Sequence, residues 1–104
     1  MCVVYVAFPN THEARDMCCN VVEEKYASAA HIYENTNSIY WWNDKLHKTK
    51  ELVAAFITTD EGYAPLCERL LEIHPYEQPA IMKVKIAGGH PPTMDWVDKY
   101  VDKK

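Results

Sequence analysis

Pro75 and Pro79 bracket Tyr76-Glu77-Gln78 and stand directly after an apolar stretch with helical spacing. Each proline holds its own φ at about −65° and steers the residue before it out of the α region. A helix running into Ile73-His74 has to stop there, and Tyr76 and Glu77 are expected on a stiff, extended connection. An imidazole, a phenol and a carboxylate thus fall between two fixed points of the backbone. Stiffness is what lets polar groups form a site; a plain helix-to-strand turn is the alternative.

The rest of the chain arranges itself around this joint. Cys2 to Phe8 is a continuous apolar, β-branched run, expected as a strand buried on both faces. Asn10 with Glu13 has the spacing of a capping box, and Thr11 is a second candidate cap. Ala14, Met17, Cys18, Val21 and Val22 then recur at helical spacing. Ser28 to Trp42 is expected as a long strand bent or bulged near Asn35. Asn43-Asp44 is a plausible two-residue turn, because both residues tolerate positive φ. Lys45 to Thr59 runs back as its partner. Asp60 is expected to cap a second helix with an apolar stripe of Tyr63, Leu66, Cys67, Leu70 and Leu71. A strand from Ala80 to Ala87 follows, with Pro79 marking an edge or a first-residue position. Thr93 is expected to cap a last helix carrying Met94, Trp96, Val97, Tyr100 and Val101.

The order β-α-β-β-α-β plus a C-terminal helix is the split βαβ, or ferredoxin-like, plan of an α+β domain spanning residues 1–104. Two helices cover one face of its four-stranded sheet. The strands leave too much apolar area on the other for water, so subunits are expected to pack there. Two long paired strands ask for the same thing, since lone long edges invite association.

Net charge −4 over 104 residues argues against non-specific nucleic-acid binding, which needs a basic face. No apolar run approaches the roughly 18 residues of a membrane helix, and no signal-peptide pattern precedes the first strand. A soluble, cytoplasmic protein is the expectation. Cys2, Cys18, Cys19 and Cys67 fit neither a zinc motif nor a disulfide framework, and read as thiols in a reducing compartment.

Ser38-Ile39-Tyr40-Trp41-Trp42, Lys45, Thr58-Thr59, His74-Pro75-Tyr76-Glu77 with Pro79, and Trp96 together resemble the CutA1 family of divalent-cation tolerance proteins. The match is collinear from about Val3 to Val97. The resemblance implies a ferredoxin-like fold, a tight homotrimer with a long extended hairpin, and binding of copper and other divalent ions. It also implies a trimeric plan shared with the PII signalling proteins, and no enzymatic activity. Several family positions differ here: a reported copper-ligating cysteine is Val6, the first of two histidines is Ile73, and a cysteine after helix one is Ala29. A glutamate after the second proline is Ala80, and a lysine before Thr58 is Ile57. A sulfur-containing copper site is therefore not expected.

His74 is the remaining histidine at the joint and suits copper or zinc through a neutral imidazole. One histidine is not a site, so Glu77 and Glu51 are its nominated co-ligands for Cu(II) or Zn(II), in a cleft shared between subunits. The alternative for His74 is a hydrogen bond to a backbone carbonyl at a helix end. Tyr40, Trp42, Lys45, Thr58, Tyr76 and Trp96 are the further cleft candidates, with Lys45 and Glu51 also readable as a pair ordering the strand ends. Packing of Tyr40, Trp41 and Trp42 against a neighbouring subunit is the favoured reading of that aromatic group, with Tyr40 and Trp42 shared between interface and cleft. His12, His31, His47 and His90 read as surface residues. No activated nucleophile, oxyanion loop or organic-cofactor motif is present. The leading expectation is a divalent-metal-binding homotrimer. The alternative is a PII-like structural or signalling trimer that takes a small ligand or protein partner, with metal binding incidental.

Overall fold

The computed structural model describes residues 1–104. Its elements are β1 (Cys2–Pro9), α1 (His12–Glu23), β2 (Ala29–Trp42), β3 (Lys45–Thr58), α2 (Tyr63–Ile73), β4 (Ile81–Lys85) and α3 (Pro91–Tyr100). The four strands form one antiparallel sheet in the order β2-β3-β1-β4, with the two helical crossovers of the ferredoxin-like plan.

Alternation sorts the strands into two faces. Cys2, Val4, Val6 and Phe8 of β1 and Leu52, Ala54 and Phe56 of β3 point under the helices. They meet Ala14, Cys18 and Val21 of α1 and Leu66 and Leu70 of α2 in one cluster. Leu71, expected in the α2 stripe, is exposed; it follows Leu70 and so points away from the seam.

The other face carries Val3, Tyr5, Val53, Ile57, Tyr33, Met82 and Val84. Tyr5 sits between Ala55 and Met82, and Val3 between Ile57 and Val84. The expectation that β1 is buried on both faces fails here, because nothing in the single chain covers this side fully. Tyr33 is 57% and Met82 62% exposed. α3 packs against β3 and buries Val97, which stands outside the main cluster.

The structure decides between the two candidate caps of α1 and departs from expectation at the other two helices. Thr11, not Asn10, caps α1: its Oγ1 accepts the Ala14 N–H at 3.1 Å. Asp60 does not cap α2, whose first turn begins at Gly62, with the Gly62 N–H donated to Thr59 Oγ1 at 2.9 Å. Asp60 is held instead by Lys85 and the chain's own N-terminal ammonium. Those cations pull its carboxyl down to about 2. α3 begins at Pro91, ahead of the expected Thr93, because prolines at the first two helical positions lack only N–H groups that no helix bond needs.

Asn10 has a different task. β2 slips register between Tyr33 and Thr36, and Asn35 sits there at φ 55°. The Asn10 amide donates to Asn35 Oδ1 at 2.8 Å, and the Asn35 N–H donates to Asn10 Oδ1 at 2.9 Å. This pair fixes the bulge at which the hairpin arm leaves the body. The arm ends at Asn43 and Asp44, both at positive φ (50° and 61°), as a two-residue hairpin turn requires. β4, expected over residues 80–87, is shorter and forms a sheet edge.

Candidate functional site

The site begins where α2 stops. The His74 N–H still closes the helix on the Leu70 carbonyl at 2.8 Å, but its backbone has turned extended ahead of Pro75. Residues 75–78 then bend, where an extended connection was expected. That bend carries Tyr76 back over the imidazole.

His74 is 9% exposed and stacks on Phe8, ring centroids 4.4 Å apart. Its Nε2 lies 2.7 Å from the Ala7 carbonyl and its Nδ1 3.0 Å from the Tyr76 N–H. A carbonyl only accepts and an amide N–H only donates. The ring is therefore neutral, with its proton on Nε2 and its lone pair on Nδ1, and both are in use. Burial lowers its pKa below the ordinary value. In this conformation His74 has no lone pair for a metal. It ties the joint to β1, which is the carbonyl-bonded alternative raised by the sequence.

In front of that tie, the Tyr76 hydroxyl donates to Glu51 Oε2 at 2.9 Å. Burial, then the Glu51 carboxylate, push the phenol's pKa far up, so it stays a donor. Glu51 is only 6% exposed and makes no ion pair with any lysine or arginine. The expected Lys45–Glu51 pair is absent because Lys45 lies opposite Trp42 at the far end of the arm. Tyr40 stacks on His47 across the hairpin, centroids 5.5 Å apart.

These groups face one cleft of about 760 Å³ between the arm and the joint. It brings together Glu51, Glu77, Tyr40, Trp42 and Tyr76 from the sequence candidates. No lysine or arginine lines it. His74 lies behind the wall. Thr58 is buried elsewhere, donating to the Tyr26 carbonyl at 2.9 Å, and Lys45 and Trp96 also lie outside the cleft of the single chain. His47, read as a surface residue, lines the cleft; its place opposite Tyr40 follows from counting back across the Asn43-Asp44 turn. Gln78 also lines it without having been nominated. No three His, Cys, Asp or Glu side chains converge as a metal site within one chain. The cleft can supply two carboxylates, aromatic walls and the polar edges of Ser38 and Gln78.

The family model described as CutA1 divalent ion tolerance protein matches residues 2–100. A relative from Thermotoga maritima, named divalent-cation tolerance protein CutA, is 34% identical over 97% of this chain and 99% of its own. The crystal structure of CutA1 from Pyrococcus horikoshii superposes with a TM-score of 0.92 at 28% identity, covering 99% of this chain and 100% of that one. A protein from Nostoc described as PII-like CutA shares the fold at TM-score 0.93 and 23% identity, over 100% of both chains.

Proposed function

The chain belongs to the CutA1 divalent ion tolerance family, and we propose that it serves there as a homotrimer binding a divalent cation in the cleft of Glu51 and Glu77. One observation carries the reading. Glu51 is a buried carboxylate that faces a cleft without a lysine or arginine, and its carboxylate's only hydrogen bond is from Tyr76. Buried charges are ordinarily paired or bound to a metal. The missing partner is a cation.

Two carboxylates do not fill the coordination sphere of a divalent ion, so a neighbouring chain and water complete it. The open apolar face of the sheet supports assembly of that kind. With oxygen donors and no sulfur, the site suits hard or borderline ions, and Cu(II) and Zn(II) are the probes to use. His74 positions the joint and is not a ligand in this reading. The cleft is read as a binding site and not a catalytic one. Four free thiols, two of them buried, suit the cytoplasm.

The test is calorimetric titration of Cu(II) and Zn(II) into the wild type, Glu51→Gln and Glu77→Gln, with the mass of each assembly measured by sedimentation. Saturable binding at a fixed stoichiometry per chain, weakened at least about tenfold in both variants, is expected. Weak binding unchanged in both variants would instead favour a second reading, a PII-like scaffold whose cleft takes a small ligand or protein partner. The aromatic walls and the fold shared with the Nostoc protein support that second reading. A stable monomer of about the chain mass would remove any shared site.

A further inference from the structure

Four aromatic side chains, Tyr40, Trp41, Trp42 and Tyr76, line the cleft beside Glu51 and Glu77. A bare metal ion has no use for such walls, since its bonds go to oxygen, nitrogen or sulfur donors. A cation wrapped in methyl or methylene groups does: ring faces attract its charge and the apolar hull is buried against them. Elsewhere in the molecule, tyrosines already have such company. Lys83 lies over Tyr63, Lys99 over Tyr100 and Lys104 over Tyr26, at 4.4–5.3 Å from the ring centroids. None of these pairs involves a cleft aromatic.

The chemistry of the walls therefore agrees with that of the floor. Glu51 supplies a nearly buried negative charge whose only hydrogen bond comes from Tyr76. Tyr40 is held upright by its stack on His47, and His47 is in turn tied to the Trp42 carbonyl at 3.1 Å. Tyr76 is fixed from behind by His74 and from the front by Glu51. The two tyrosine rings are thus placed before any ligand arrives, which reduces the entropy lost on binding. The volume, about 760 Å³, falls in the range of small-molecule sites.

We propose that this cleft binds a small organic monocation of the quaternary or alkylated ammonium class, its charge against Glu51 and its methyl groups against Tyr40, Trp42 and Tyr76. The inference rests on reading the cleft as a cation site, and it names a ligand class that a metal site would not select. Glu77 and Gln78, on the bend after Tyr76, are placed to bind a polar substituent at the ligand's open end.

The test uses butyltrimethylammonium chloride as the probe and 3,3-dimethylbutan-1-ol, an uncharged compound with the same branched head, as its control. Tryptophan fluorescence and calorimetry follow both ligands in the wild type, Trp42→Leu and Glu51→Gln. Circular dichroism and sedimentation confirm equal folding and assembly. Zn(II) is titrated into the same three proteins. The expected result is saturable binding of the ammonium probe, with the neutral control at least about tenfold weaker. Trp42→Leu should weaken the probe about tenfold, far more than it weakens Zn(II), whereas Glu51→Gln should weaken both to a similar degree. Equal affinity for probe and control, or no effect of Trp42→Leu, would overturn the proposal. Zn(II) binding without ammonium binding would overturn it and leave the divalent reading standing. Ammonium binding without Zn(II) binding would do the reverse. Failure of both probes would overturn both readings.

Discussion

The hairpin arm is the far end of β2 and β3, and the same two strands run back into the four-stranded sheet whose helix-covered face they share with β1, yet different forces hold the two regions. On the body, Leu52, Ala54 and Phe56 of β3 are sealed beneath α1 and α2, and burial of apolar surface sets their position. Beyond the Asn35 bulge the arm has no core. Trp41 is 73% exposed there, and Ile39 and Leu46 are exposed with it. The arm depends on its own ladder, its turn, and the Asn10–Asn35 clamp at its root. One region is stable because of what it encloses, and the other because of where it is anchored. The cleft lies where the two meet, so its aromatic wall belongs to the arm and Glu51 to the boundary.

Substitutions on each side should therefore fail differently. Leu70→Ala empties a fully buried position and should cost about 2–5 kcal/mol in chemical denaturation. Trp41→Ala should leave the far-ultraviolet circular dichroism unchanged and act on the sedimentation-measured assembly instead. Equal losses of secondary structure in the two variants would mean that arm and body unfold as one unit, and the contrast would be gone.

A smaller effect sharpens the body's side of the comparison. A Cβ added at Gly62 would lie 2.4 Å from Thr58 Oγ1 and 3.0 Å from Val101 Cγ1. Thr58 cannot give way freely, because its hydroxyl is committed to the Tyr26 carbonyl. Gly62→Ala should cost about 1–3 kcal/mol, since the added methyl is crowded and alanine is the poorer residue at a helix N-cap. A denaturation midpoint at or above that of the wild type would show that the start of α2 yields more easily than its packing implies.

The sequence was legible where a pattern had a single physical solution. The β1 run, the α1 stripe, the bulge at Asn35 and the Asn43-Asp44 turn all follow from periodicity or from residues that tolerate positive φ. The caps were less so, because Asp60 and Thr59, or Asn10 and Thr11, are locally interchangeable. Contacts distant in sequence decided between them: Lys85 claimed Asp60, and Asn35 claimed Asn10. The same holds at the site. The Pro75–Pro79 spacing located the joint, and Glu51, Glu77, Tyr40, Trp42 and Tyr76 do share one cleft. That His74 Nε2 goes to backbone depended on the Ala7 carbonyl of β1 reaching the ring's edge, which local sequence does not reveal.

His74 is the point where body and cleft are joined, and its titration gives the smallest and most specific effect. Its folded pKa is lowered from the ordinary 6.5, chiefly by burial. Below that ordinary value the unfolded chain binds a proton that the folded chain resists, so folding becomes less favourable as pH falls. The contribution is complete above about pH 6.5 and is lost as pH drops through the lowered folded value. A proton on Nδ1 would also confront the Tyr76 N–H with a second donor, breaking a bond worth about 1 kcal/mol. Asp60 gives the control, because its depression from 3.8 to about 2 confines its own loss to more acidic solution. Denaturation of the wild type and His74→Gln between pH 7.5 and 5, chosen by these values on the order of the histidine pKa, should show the wild type's advantage shrinking with acidity. Parallel stability profiles would mean that His74 does not sense the proton in the folded state, and that the joint is held by its prolines and by Tyr76–Glu51 alone.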